Sequence, residues 1–246
     1  AVVMCAGACA QVPTADAVHA AAPVAPSCNG ALTQGGLVIC HAQPGAAITV
    51  AGVKQVVDST GSAQFGISTN APSVIGWSAS DGTYGDLAIA ARNDEFRTIK
   101  GFDCDKVDAR SPEQKAHAAR SWQTKQDAFA SLNPGVGALN GFIKPADAPT
   151  SSPFGPTRKY IGVSKVTGKS CESTSVHRGY DMAAPTGTSV VAPADGTVIL
   201  AKTGNTGRTT GPHLHWAVKW RNVASEDRSG DFYIDPALLL ELPVSD

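Results

Sequence analysis

The stretch Gly211-Pro212-His213-Leu214-His215-Trp216 decides how the last third of this chain is read. Pro212 suits the first position of a strand and is out of place inside a helix, because it has no N–H to donate and its φ is fixed. Residues two apart on a strand share a face. His213 and His215 are therefore expected to point one way, with Ala217 and Lys219 continuing their face. Leu214, Trp216 and Val218 form the opposite, apolar face. Upstream, His177-Arg178-Gly179-Tyr180-Asp181 adds a third imidazole and a carboxylate. His177 and Asp181 are four apart and are expected to share a strand face as well. Gly179 between them disfavours a helix, so both motifs are placed on strands or strand ends.

Three imidazoles and one carboxylate in so short a length form the inventory of a catalytic zinc site, which uses three protein ligands and keeps a position open for water. A histidine taken singly is more often a satisfied core residue, and His-x-His also arises by chance. The conjunction of the two motifs is what points to metal. No His-Glu-x-x-His segment occurs, which excludes the common zincin arrangement.

With the flanking residues included, the C-terminal region resembles the lysostaphin/LytM-type zinc metallopeptidases, which cut the peptides of bacterial peptidoglycan. Ser152-Pro153-Phe154-Gly155 with Arg158 is similar to that family's opening motif. The first metal motif is matched by His177-Arg178-Gly179-Tyr180-Asp181-Met182-Ala183-Ala184-Pro185-Thr186-Gly187-Thr188. Val190-Val191-Ala192-Pro193-Ala194-Asp195-Gly196-Thr197-Val198 resembles the next hairpin, and Thr206-Gly207-Arg208 through His213-Leu214-His215-Trp216 the closing motif. Asp235-Pro236 is similar to the usual end of the domain. The resemblance covers about residues 150 to 240. It implies zinc held by His177, Asp181 and His215, with His213 as the unligated histidine that orients or deprotonates the attacking water. Zinc lowers the pKa of bound water and polarises the scissile carbonyl, and a histidine near neutrality can move the proton. No acyl-enzyme is expected.

The chain departs from the family pattern in one place. Family members carry several strands and a further histidine, in a Tyr-x-His-Leu-like segment, between the Asp-Gly hairpin and the closing motif. Here Val198-Ile199-Leu200-Ala201 runs almost directly into Lys202-Thr203-Gly204-Asn205-Thr206-Gly207, and His19, His41 and His117 lie far upstream. The domain is therefore expected to be shortened, without one transition-state donor. Loss of such a donor costs roughly two to three orders of magnitude in rate. An alternative expectation follows: a catalytically impaired family member that serves as a wall-binding or regulatory module. Against it, regulatory relatives typically lose metal ligands, and none is lost here. A third expectation is a general extracellular metalloprotease for Gly-rich protein segments.

At 246 residues the chain has room for two domains. The formal net charge of -1 gives no reason to invoke nucleic acid or an anionic membrane surface. No run is long and apolar enough for a transmembrane helix. Ala1-Val2-Val3-Met4-Cys5-Ala6-Gly7-Ala8-Cys9-Ala10-Gln11 reads as the tail of a secretory signal peptide. Ala8-Cys9-Ala10 and Ala15-Asp16-Ala17 are candidate cleavage sites. Ala6-Gly7-Ala8-Cys9 is an imperfect lipid-attachment match, with Cys9 as the alternative anchor. A secreted or periplasmic location is expected. The six cysteines agree, since disulfides persist in oxidising compartments. Setting aside Cys5 and Cys9 leaves Cys28, Cys40, Cys104 and Cys171, which allow three connectivities. Cys28–Cys40 with Cys104–Cys171 is favoured, because the first pair closes a local hairpin. The absence of Cys-x-x-Cys speaks against a zinc-cysteine site.

The expected architecture is mainly β, in four parts: a signal remnant and linker (1–26), a small β-sandwich-like domain (27–105), a helical connector and linker (106–150), and a shortened antiparallel peptidase domain (151–246). Leu37-Val38-Ile39-Cys40, Ala47-Ile48-Thr49-Val50 and Leu87-Ala88-Ile89-Ala90 are candidate strands. Turn signals at Gln34-Gly35-Gly36, Pro44-Gly45, Thr60-Gly61 and Asp81-Gly82 punctuate them. Gln34-Gly35-Gly36-Leu37-Val38 and Pro44-Gly45 resemble the N-terminal region of some proteobacterial members of the family. That region could bind wall, dock a partner, cover the groove or act as a spacer. Ser111-Pro112 is expected to open a helix, with Ala119, Trp122, Phe129 and Leu132 on a packing face and Asn133-Pro134-Gly135 at its end. Tyr180, Trp216 and Trp220 are read as packing residues, and Asp195-Gly196 as a hairpin turn. Asp235 is read as a cap before Pro236. Arg208 is open between a contact to a substrate carboxylate and a solvated loop charge.

Overall fold

The computed structural model describes residues 24–106, 112–130, 139–194, 201–204, 211–222 and 230–242. The leader with Cys5 and Cys9, Ser111, Leu132, Asn133-Pro134-Gly135, Asp195-Gly196 and Arg208 lie outside the described residues. The fold is mainly β.

Near the N-terminus, Ser27–Ala31, Leu37–His41 and Ser62–Gly66 form an antiparallel sheet with Leu37–His41 at its centre. A second antiparallel sheet runs in the order Val53–Val56, Ala47–Val50, Val74–Ala79, Tyr84–Ala88. Val38, Cys40, Ile48, Val50, Phe65 and Leu87 join in one buried core. The sequence marks Leu37–His41 as a continuous apolar run rather than an alternating one, and the structure shows why. Val38 and Cys40 face that core, while Leu37 and Ile39 join Ile234, Leu239 and Leu242 from the C-terminal end in a second core. A strand covered on both faces needs apolar residues at every position. The third candidate strand is displaced: the observed element is Tyr84–Ala88, and Ile89 stays buried just beyond it.

Cys28 and Cys40 are register partners across adjacent strands and form a disulfide. Cys104 and Cys171 form the other, beside a sheet in which Phe96–Asp103 runs parallel to Thr157–Val163, itself antiparallel to Ser170–Val176. Both pairs agree with the favoured connectivity. The sheet also joins residues on either side of the expected connector, and Phe102 and Tyr160 meet across it at 5.2 Å between ring centroids.

The helix spans Pro112–Ala130, with proline in its first turn as expected. Ala119 and Trp122 are not on a packing face. Both are exposed, Trp122 by 58%, and its ring is covered by the Lys125 ammonium at 4.5 Å. Apolar residues are too few along this polar helix to bury a stripe, and a cation over the indole face replaces a core.

The sheet that carries the chemistry has Tyr180–Ala183 at its centre, flanked antiparallel by Thr150–Ser152 and His213–Trp216. Behind it Met182, Tyr180, Trp216 and Ala146 form a third core. Tyr180 and Trp216 meet edge to face, 6.4 Å between centroids, as their packing assignment anticipates. The histidine strand stops at Trp216. Val218–Trp220 pairs instead with Phe232–Ile234, so the expected single run to Lys219 is broken at Ala217. Trp220 explains the break: it packs with Phe232 at 5.2 Å and joins the second core beside Leu37 and Ile39, where Gly66 makes room for it. A Cβ on Gly66 would lie 2.6 Å from the indole.

Candidate metal centre

The register of the central sheet sets two of the candidate ligands face to face. Asp181 pairs with His215, and Ala183 with His213. Directly opposed residues of antiparallel strands bring their side chains together, so the ladder itself delivers the carboxylate to the imidazole. His215 Nδ1 stands 2.8 Å from Asp181 Oδ1.

His177 arrives by a different route. It does not share a strand face with Asp181, contrary to the four-residue spacing argument. The strand Ser170–Val176 ends just before it, and the chain bends through Arg178 and Gly179 before Tyr180–Ala183 begins. Gly179 permits the bend to lie against the site: a Cβ there would fall 2.3 Å from His215 Cε1. His177 Nε2 then lies 3.1 Å from Asp181 Oδ2 and 3.2 Å from His215 Nδ1.

The ring of His177 is fixed from behind. Its Nδ1 is 2.6 Å from the Pro153 carbonyl oxygen. A carbonyl only accepts, so Nδ1 donates to it and Nε2 is the ring nitrogen that faces Asp181 and His215. This is the backbone support that metal-binding imidazoles commonly have. Asp181 is supported in turn by Arg158, whose Nη2 lies 3.4 Å from Oδ2 and also donates to Ser152 Oγ. Burial pushes the Asp181 carboxyl upward, but hydrogen bonds and charge from His177 and His215 outweigh it and hold the group well below the usual carboxylate range. It is therefore an anion at neutral pH.

The donor atoms of His177, Asp181 and His215 all lie within 4.8 Å of one another, and no other such group is found among the described residues. A tetrahedral ion with bonds of about 2.0–2.1 Å needs donors about 3.3 Å apart. The two imidazole nitrogens stand 3.2 Å apart, and the carboxylate approaches His215 through Oδ1 at 2.8 Å and His177 through Oδ2 at 3.1 Å. Two imidazoles and a carboxylate also suit zinc chemically. The residues present thus fit such an ion. His177 and Asp181 are buried while His215 is exposed, so the group is sealed on one side and open on the other.

His213 stands beside this group. Its Nδ1 lies 3.0 Å from the Gly211 carbonyl oxygen, which places the proton on Nδ1. Its Nε2 faces Asp181 Oδ1 at 3.8 Å. The ring therefore turns Nε2 toward the carboxylate of the group.

Sequence reasoning missed Arg92. Its guanidinium bonds to Asp94, Asp235, and the carbonyls of Gln34 and Phe154. Asp235 caps the short helix Pro236–Leu239 through Ala237 N, as expected, and also pairs with Arg92 at 2.8 Å. No local pattern announces the contacts to Gln34, Phe154 and Asp235, since they join residues 58, 62 and 143 apart in the chain.

No family model matches the sequence, and no curated protein matches it. Among solved structures, the chain is similar to a crystal structure from Pseudomonas aeruginosa described as a "putative peptidase M23". The match has 20% sequence identity, covers 85% of this chain and 95% of that chain, and has a TM-score of 0.48.

Proposed function

We propose that this protein is a zinc-dependent endopeptidase that hydrolyses peptide bonds of bacterial peptidoglycan with metal-activated water. The observation that carries the proposal is the convergence of His177 Nε2, Asp181 and His215 Nδ1, with the Nε2 of His213 alongside. The motif resemblance to the lysostaphin/LytM-type peptidases supplies the substrate class.

Bound by His177, Asp181 and His215, zinc would acidify a water molecule and polarise the scissile carbonyl. The chain's own residues do the rest. Asp181 stays ionised and contributes negative charge. His213 takes a proton at Nε2 while its Nδ1–H stays on the Gly211 carbonyl, and then returns that proton to the leaving amine. Arg158 offsets part of the Asp181 charge through its contact with Oδ2. The Pro153 carbonyl keeps His177 in one tautomer. In this reading residues 151–246 form the peptidase unit and 27–105 a β unit joined to it by the shared sheet at Phe96–Asp103 and by the core of Leu37 and Ile39 with Ile234. The disulfides suit a secreted or periplasmic setting. No helix among the described residues is long and apolar enough to cross a membrane.

The second reading is an impaired member that binds wall or regulates a partner. One feature favours it: the chain holds no further histidine near its closing motif. His41 ends a strand of the N-terminal sheet, and His117 sits on the exposed helix.

Digestion of purified peptidoglycan, scored by released peptides, separates the two. The proposal expects cleavage by the wild-type chain and at least about a hundredfold loss in His213→Ala, with zinc retained. A zinc-loaded wild-type chain that releases no peptide would establish the second reading instead.

A further inference from the structure

Residues 153–156 surround His177 with three hydrogen bonds. The Pro153 carbonyl holds the ring at 2.6 Å, Gly155 N donates to the His177 carbonyl at 2.8 Å, and His177 N donates to the Pro156 carbonyl at 2.9 Å. The candidate ligand is thus placed by this short segment in both its ring and its backbone. The position of the segment becomes the position of the imidazole.

What holds the segment on its far side belongs to the N-terminal half of the chain. Arg92 Nη2 donates to the Phe154 carbonyl at 3.0 Å, and the guanidinium lies 5.0 Å from the centroid of the buried Phe154 ring. The same guanidinium is gripped by Asp94 at 2.9 Å and Asp235 at 2.8 Å, and donates to the Gln34 carbonyl at 3.3 Å. Only a planar fork with five donors can meet these partners together. Gly155 has φ +104, and a Cβ on it would fall 2.1 Å from Asp94 Oδ1, so the two segments lie in direct contact. Thr157 N adds a bond to the Glu95 carbonyl at 3.0 Å.

We infer that Arg92 is a positioning residue for the metal centre: by holding the Phe154 carbonyl it fixes the neighbouring Pro153 carbonyl, and through it the ring of His177. The N-terminal β unit then sets the metal affinity of the C-terminal one. This rests on the reading of His177 as a ligand. Loss of the outer support of a ligating histidine costs 10–100-fold in metal affinity. Arg92 acts one residue further out, so about a tenfold loss is expected.

The test uses the full chain. Zinc dissociation constants are measured by competition with a chromophoric chelator for wild type, Arg92→Lys and Arg97→Gln. The cobalt(II) absorption spectrum is recorded for each, and imidazole nitrogen NMR of the metal-free proteins reads the His177 tautomer. Arg97 lies on the same stretch but pairs with Glu95 at the surface, so its variant controls for a general disturbance of that stretch. Arg92→Lys keeps the charge and loses the fork. It should raise the Kd about tenfold, alter the cobalt spectrum, and release His177 from its fixed Nδ1–H form. Arg97→Gln should change none of these. An Arg92→Lys chain with wild-type Kd, spectrum and tautomer overturns the inference. If Arg92→Lys does not fold, Asp94→Asn replaces it: a Kd raised about threefold or more supports the inference, and an unchanged one overturns it. If the wild-type chain binds no zinc, the ligand reading fails, while the tautomer comparison still decides whether Arg92 controls the His177 ring.

Discussion

Asp181 and His215 are placed by a strand ladder, whereas His177 is placed by an irregular segment clamped from a distant part of the chain. The ladder fixes its pair through repeated backbone bonds, and each strand in it buries a neighbour such as Met182 or Trp216. The irregular segment has no repeat to lean on. It depends on Arg92 and on two glycines that allow close approach. The two kinds of support should fail differently under substitution.

The largest effect is expected in the ladder. Asp181→Ala leaves two imidazoles without their shared anion and removes one of three donors. Zinc retention and peptidoglycan cleavage should both fall by several orders of magnitude. Metal analysis after dialysis checks the first, and released peptides check the second. A variant that keeps its zinc would show that Asp181 lies beside the ion rather than on it.

Gly179→Ala tests the bend that joins the two regions. Its Cβ would meet the His215 ring at 2.3 Å and push that ring from the ladder position. The expected outcome is a 10–100-fold rise in zinc Kd with little change in melting temperature, because the bend lies outside any strand. A wild-type Kd would mean that the ring can move without cost.

Gly155→Ala strikes the clamp. The residue must hold φ +104 and avoid Asp94. A loss of about 1–3 kcal/mol in urea unfolding is expected from the backbone alone. If the stability loss appears without any change in zinc affinity, the clamp is structural only.

The smallest effect belongs to the N-terminal unit. Burial raises the Asp58 pKa, but hydrogen bonds from Thr60 and Ser62 outweigh it and leave the carboxyl lowered. A carboxyl lowered by folding adds stability above its unfolded pKa of about 3.9, and loses it as pH falls through the folded value. Asp58→Asn should therefore be less stable than wild type at neutral pH and converge with it in acid. Urea midpoints across that range read the difference, and a gap that persists in acid would rule out the charge as its source.

These regions also differ in how far the sequence discloses them. Leu37–His41 and Ala47–Val50 can be read directly, because burial writes itself into runs and alternation. The Cys28–Cys40 pair follows from strands that sit side by side in register. The nearness of His213 and His215 follows from the period of a strand. Other features depend on contacts between distant residues. Ala217 breaks the histidine strand because Trp220 is drawn into a core built with Leu37 and Ile39. The helix Pro112–Ala130 shows an apolar spacing but no partner surface for Trp122. Arg92 carries no motif at all, since its partners Phe154 and Asp235 stand 62 and 143 residues away. The bend at Gly179 is half legible: the glycine is visible, but the ring it admits is not.

The most direct test is the zinc content of the purified, folded wild-type chain, set against that of His215→Ala. About one zinc per wild-type chain and essentially none in the variant is the expected result. A wild-type chain that folds, keeps both disulfides and binds no zinc would show that His177, Asp181 and His215 do not form a zinc site.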